Sequence, residues 1–224
     1  MERNPAWQTP IERFPAIDRF GFVRAGFVCR IPGIEPSGDR ELMLSRLAAR
    51  HAEARETLGM GGMPYATAEQ THGNGVALVE EGAERHFEGV DALITAVPGI
   101  ALGVYVADCC AVFLLDPVRR CIGLAHSGKK GTELGVVPAA IDRMRSDFGS
   151  DPESMVAQLS PCIRPPHYEV DFAAAIAKQC RNAGLKQIFD GGECTASDLE
   201  KYYSYRAERG KTGRMLALFA VSPD

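Results

Sequence analysis

Three short segments bring together residue types that do chemistry. Gln70-Thr71-His72-Gly73 ends one apolar run, Ala107-Asp108-Cys109 ends a second, and Leu124-Ala125-His126-Ser127-Gly128 ends a third. Polar groups at strand ends are where a rigid scaffold presents functional side chains. Two imidazoles and a thiolate, His72, Cys109 and His126, make a sensible open zinc set, with three protein ligands and a fourth position free. Such an ion lowers the pKa of bound water to about 7. Asp108 is placed to orient an imidazole or to take up a proton. The separations, 37 residues from His72 to Cys109 and 17 from Cys109 to His126, enforce no local cluster. A metal-free reading stays open, with Cys109 as nucleophile, His126 or His72 as its base, and Lys129 and Lys130 favouring the thiolate.

The loop His126 to Gly131 leads into a helix, and a helix start beside Lys129 and Lys130 attracts anions such as phosphate. Tyr202-Tyr203-Ser204-Tyr205-Arg206, followed by Arg209, Lys211 and Arg214, suits a flat base stacked beside an anion. It equally suits a charged rim packed on tyrosines. His51, on the apolar face of a helix, reads as a packed histidine, and His86 and His167 have no supporting neighbours.

Apolar runs at Tyr65–Glu69, Val76–Val79, Ala92–Thr95, Leu102–Ala107, Ala111–Leu115, Cys121–Ala125, Val156–Leu159 and Leu216–Val221 read as strands, and several lack alternation because both faces are covered. Phe20–Arg30 reads as a strand or hairpin. One helix is capped by Ser37 or Asp39, carries Met43, Leu47, Ala54 and Leu58 at helical spacing, and stops at Gly59. A second is expected over Thr132–Phe148 and a third over Val170–Ala183, stopped by Gly184. Residues 1–19 are Pro-rich and aperiodic, and are expected to form an irregular surface segment ahead of a single α/β domain over residues 20–224.

Composition narrows the function. In 224 residues, 25 Lys and Arg stand against 29 Asp and Glu, a net charge of −4. That balance argues against a nucleic-acid partner. The seven cysteines form no C-x-x-C pair, and Met1–Pro5 has no apolar segment behind a basic start, so a cytoplasmic location with reduced thiols is expected. The most apolar stretch, Val97–Leu115, is broken by Pro98 and Asp108, so no membrane span is expected.

In sequence order, Gln70-Thr71-His72-Gly73, Asp91-Ala92-Leu93-Ile94-Thr95, Ala107-Asp108-Cys109, His126 with Gly128 and Gly131, Pro161 through Tyr168-Glu169-Val170, and Tyr203-Ser204-Tyr205-Arg206 with Thr212-Gly213-Arg214 resemble the multicopper polyphenol oxidase, or laccase-domain, family. That family is associated with zinc-dependent purine nucleoside phosphorylase activity. The resemblance runs from about Phe20 to the C-terminus. It implies an α/β/β/α sandwich of mixed sheets, similar to cysteine hydrolases and deamidase toxins. It also implies zinc on His72, Cys109 and His126; beside that set, Asp108, Cys109 and His126 are expected in catalysis, and the basic residues Lys129, Lys130 and Arg206 are expected to bind phosphate. The implied substrates are adenosine, inosine, guanosine and methylthioadenosine with phosphate, adenosine deamination being a companion activity, on a monomer or homodimer. Copper is disfavoured, because one His-Cys-His set cannot furnish the several centres of a laccase. Where the family has Trp-Arg after the histidine this chain has Lys129-Lys130, where it has a proline after the ligand cysteine this chain has Ala111, and its Gly-Pro and Asn-Arg pairs read Ser160-Pro161 and Ser45-Arg46. An intact ligand set with an altered substrate shell leaves two alternatives: a cysteine- or zinc-dependent amidase acting on a peptidoglycan precursor, and a non-catalytic nucleotide-binding relative.

Overall fold

A computed structural model describes residues 9–83 and 85–223. The elements run β1 (Ile11–Glu12), α1 (Pro15–Asp18), β2 (Val23–Val28), α2 (Arg40–Thr57), β3 (Tyr65–Ala68), β4 (Val76–Leu78), β5 (His86–Phe87), β6 (Ala92–Thr95), β7 (Ala101–Val106) and β8 (Cys110–Asp116). They continue with β9 (Cys121–Ser127), α3 (Lys129–Glu133), α4 (Val136–Phe148), β10 (Val156–Leu159), α5 (Phe172–Asn182), β11 (Gln187–Asp190) and β12 (Met215–Val221). Two six-stranded sheets result, ordered β1-β2-β12-β7-β3-β5 and β11-β10-β8-β9-β6-β4. Both are mixed: β3 lies parallel to β7 while β12 is antiparallel to it, and β4 lies parallel to β6 while β9 is antiparallel to it.

The continuous apolar run of β8 follows from burial on both faces. Ala111, Phe113 and Leu115 enter the core shared with the first sheet, whereas Cys110, Val112 and Leu114 enter a second core with Val137 and Ile141 of α4 and Ile176 of α5. Each large apolar side chain so buried contributes about 1.5–3 kcal/mol. Met43, Leu47 and Ala54 of α2 join the first core, giving helix, sheet, sheet and helix layers in one α/β domain. Asp39 caps α2 by accepting a hydrogen bond from the Leu42 amide at 2.9 Å, a contact of about 1 kcal/mol.

The segment ahead of residue 20 departs from the expected irregular surface. Ile11 pairs with Val28, and α1, with Pro15 in its first turn, buries Ile17 fully and Phe14 nearly so. Two apolar residues three apart have a face to bury, and proline starts a helix as readily as it breaks one. Residues 1–8 lie outside the described residues. The helix expected over 132–148 is two helices, because Gly135 takes a left-handed conformation (φ +76°) between α3 and α4, which glycine adopts without strain. The two residues of β5 are too few to show a period, and β11, at the edge of its sheet and only partly buried, lacks the continuous apolar run of the central strands. No helix among the described residues is long and apolar enough to cross a membrane.

Candidate metal centre and its cleft

Strand pairing assembles the site. The β8–β9 register sets His126 opposite Ala111, next to the turn carrying Cys109, and the β6–β9 register sets Ala125 opposite Ala92. His72 sits in the turn after β3. The ligating atoms of His72, Cys109 and His126 all lie within 4.8 Å of one another, and the two imidazole rings meet edge to face at 4.8 Å. His126 is buried, Cys109 half-buried and His72 exposed, so one side of the group is open. The edge of a zinc tetrahedron is roughly 3.5 Å; the donor types fit such an ion, and the exposed His72 can supply the small closure. Gly128 makes room for the thiol, since a Cβ there would stand 2.4 Å from Cys109 Sγ.

Asp91, the residue before β6, holds the group in place. Its buried carboxylate accepts hydrogen bonds from His126 Nδ1 (2.8 Å), the His72 amide (2.9 Å), the Gly73 amide (2.7 Å) and Thr71 Oγ1 (3.1 Å). Its main-chain carbonyl accepts the His126 amide at 2.7 Å. Burial alone would raise the Asp91 pKa, but the hydrogen bonds from His126 and the two amides bring it below the usual carboxylate range. Burial likewise works against ionising Cys109, yet hydrogen bonds from His126 and His72 pull its thiol down to about 6. Against its own burial, His126 is pushed up to about 9 by the Asp91 carboxylate and the Cys109 thiolate. Cys109, His126 and Asp91 thus form a chain of thiolate, imidazolium and carboxylate.

Asp108 does not orient an imidazole. Its Oδ1 accepts from Thr195 Oγ1 and its Oδ2 from the Arg206 amide, both at 2.7 Å, so it fixes the turn that carries Tyr205 and Arg206. The sequence reading missed Asp91 in this role. Its signal was a charged residue opening the fully buried run Ala92–Thr95.

The group opens into a cleft of about 760 Å³, lined also by Tyr105, Tyr168, Phe172 and Tyr205 and by Arg40, Lys129, Arg206, Arg209 and Arg214. Lys129 and Arg206 line the cleft, whereas Lys130, expected beside them toward phosphate, is exposed on α3 and does not line it. Tyr202 and Tyr203 are core residues, and of the aromatic–basic stretch only Tyr205 and the arginines reach the cleft. Arg206 lies over the Tyr168 ring at 4.7 Å and pairs with Glu169 at 3.0 Å. Gln70 stands in for a strand neighbour, accepting from the Tyr105 amide and donating to its carbonyl. His51 is packed, as its helical face implies, with its ring 5.6 Å from that of Tyr105. Gln70 (φ 67°), His72 (61°), Asp108 (79°) and Arg209 (51°) all line the cleft in left-handed conformations, Arg120 being the other such non-glycine residue described. Each costs about 1–3 kcal/mol, a strain that clusters where side chains must be aimed.

Residues 37–172 and 167–222 match the family model described as multi-copper polyphenol oxidoreductase laccase. A purine nucleoside phosphorylase of Deinococcus radiodurans is 31% identical over 201 residues, covering 78% of this chain and 77% of that protein. Another, of Streptomyces coelicolor, is 30% identical over 225 residues, covering 85% and 92%. The crystal structure of YlmD from Geobacillus stearothermophilus shares the fold with a TM-score of 0.84 at 22% identity, over 94% of each chain. The hypothetical protein YfiH of Bacillus licheniformis does so with a TM-score of 0.82 at 24% identity, over 92% of this chain and 95% of that one. From the motifs, the matched residues and the shared fold, the chain belongs to the multi-copper polyphenol oxidoreductase laccase family.

Proposed function

We propose that the protein is a zinc-dependent purine nucleoside phosphorylase. The observation that carries the reading is the His72, Cys109 and His126 donor group at the base of a cationic, aromatic-walled cleft; the names of the relatives point the same way. His72, Cys109 and His126 would hold the ion, which when bound supplies Lewis acidity beside the reacting groups. Tyr168 and Tyr205 offer faces for a purine, and Lys129 and Arg206 offer charge to phosphate. A phosphate oxygen forms a bond to the anomeric carbon as the bond from that carbon to the purine nitrogen breaks. The purine leaves with the electron pair and takes up a proton, giving free base and ribose 1-phosphate. Asp91 favours the His126 tautomer whose Nδ1 is protonated, so Nε2 is the nitrogen that would bind the ion. One donor group of this kind among the described residues supports a single centre rather than a multi-copper array.

The test is incubation of zinc-loaded protein with adenosine or inosine and phosphate, with free base and ribose 1-phosphate as products. Lys129→Gln should raise KM for phosphate several-fold with little change in KM for the nucleoside, and ammonia release from adenosine would register companion deamination. Neither base nor ribose 1-phosphate from loaded protein would reject the reading. The Cys109, His126 and Asp91 chain favours a second reading, a cysteine amidase acting on a peptidoglycan precursor, in which the thiolate attacks the amide carbonyl and His126 protonates the leaving amine. That activity would survive chelation, ignore phosphate and vanish in Cys109→Ser.

A further inference from the structure

The cleft holds more positive charge than one phosphate uses. Arg206 has Glu169 as its partner, but among the described residues Arg40, Lys129, Arg209 and Arg214 make no ion pair. What sets these four apart from other bases without a carboxylate partner is that all of them line one cleft. Two of the four come from neighbouring segments. A bridge between Ser37 and Thr212 staples the chain leading into α2 against the chain leading into β12, and these segments carry Arg40 and Arg214. Burial and the neighbouring charge of Arg40 both work against the Arg214 guanidinium, whose pKa is lowered. Its guanidinium donates to the Thr212 and Gly213 carbonyls, at 3.4 and 2.8 Å. Tyr205 and Cys109 work the other way, but neither forms an ion pair with Arg214, and two neighbouring guanidinium groups without carboxylate partners favour an anion that bridges them. Lys129 and Arg206, which the phosphorylase reading assigns to the attacking phosphate, belong to α3 and the 203–210 turn. Arg40 and Arg214 are left over.

We infer that Arg40 and Arg214 bind a second phosphate, the 5′-phosphate of a nucleotide, so that the cleft takes nucleoside 5′-monophosphates more tightly than the bare nucleosides. The inference rests on the reading of this cleft as a nucleoside site. A volume of about 760 Å³ lies in the range that holds ligands of this size. Guanidinium pairs grip phosphate through paired N–H donors with an angular fit that lysine lacks.

The experiment is calorimetric titration of zinc-loaded and metal-free protein with adenosine, AMP and ribose 5-phosphate. AMP should bind at least about tenfold more tightly than adenosine, the worth of one or two charge-assisted hydrogen bonds, with the advantage shrinking as salt rises. Arg40→Gln, which alters an exposed side chain, should remove most of that ratio, and so should Arg214→Gln. Arg214→Lys should recover part of it, and Lys130→Gln, outside the cleft, should keep it whole. Equal binding of AMP and adenosine would overturn the inference and leave the phosphorylase reading standing. So would a ratio lost in Lys129→Gln but kept in the Arg40→Gln/Arg214→Gln variant. Tight AMP binding without phosphorolysis of any nucleoside would do the reverse, and failure of both ligands to bind would remove both.

Discussion

Asp91 offers the sharpest test of how the centre is held. Its four hydrogen bonds divide evenly: Oδ1 serves His126 Nδ1 and the His72 amide, and Oδ2 serves the Gly73 amide and Thr71 Oγ1. In Asp91→Asn, the arrangement that leaves fewest donors unmet puts the amide nitrogen where Oδ2 was. The Thr71 hydroxyl can then rotate to accept, the Gly73 amide is orphaned, and His126 keeps a neutral acceptor. Asp91→Ala loses all four contacts. Removing one member of a buried charged pair costs about 3–5 kcal/mol, but His126 can shed its proton once the carboxylate is gone, so the lower end, about 3 kcal/mol, is expected for the metal-free Ala variant. Loss of a group that orients a metal-bound histidine typically costs 10–100-fold in affinity, so zinc should bind about tenfold more weakly to Asp91→Asn and about 100-fold more weakly to Asp91→Ala. Competition with a chromophoric chelator measures the affinity and urea unfolding of the metal-free protein measures the stability. Asp108→Ala is the control: it frees Thr195 and Arg206 and should leave zinc affinity within about twofold of wild type. If Asp91→Ala bound zinc like wild type while Asp108→Ala did not, the assignment of the orienting carboxylate would be refuted.

Gly128→Ala should weaken zinc binding at least about tenfold by driving a Cβ into Cys109 Sγ, whereas Gly131→Ala, whose Cβ would meet nothing nearer than 3.4 Å, should not; the same chelator assay separates them. Zinc binding near pH 7.5 should release about one proton, from His126, because the Cys109 thiol pulled down to about 6 has already ionised and the imidazole pushed up to about 9 has not. Affinity should therefore rise with pH until about 9, a trend checked by calorimetry in buffers of different ionisation enthalpy. Burial lowers the His51 pKa to about 4, against about 6.5 in an unfolded chain. The unfolded state then binds more protons between those values, so the His51 contribution to stability is full above pH 6.5 and is lost as pH drops toward 4, by about 3 kcal/mol in all. Urea midpoints across that range should show this acid limb in wild type and its absence in His51→Leu.

How much of this site can be read along the chain depends on which neighbours matter. His72, Cys109 and His126 each lie at or just past the end of an apolar run, so their shared position at strand ends is legible without knowing the pairing. The acid that serves them is not, because His126 lies 35 residues after Asp91 and only the β6–β9 register brings them together. Chain adjacency misleads for a physical reason. A turn aims successive side chains apart: Asp108, in the turn between β7 and β8, has a left-handed backbone, and its carboxylate meets Thr195 and Arg206 while the Cys109 thiol meets the imidazoles. The same holds for Lys129 and Lys130, because neighbouring residues in a helix do not share a face. With α3 starting at Lys129, one lysine of the pair meets the cleft and the other meets solvent. The arginines follow the opposite logic: Arg40 and Arg214, far apart in sequence and unremarkable singly, become a pair only when the bridge between Ser37 and Thr212 closes. For a centre built from strand ends, register decides which residues act together, and proximity in sequence is the weaker guide.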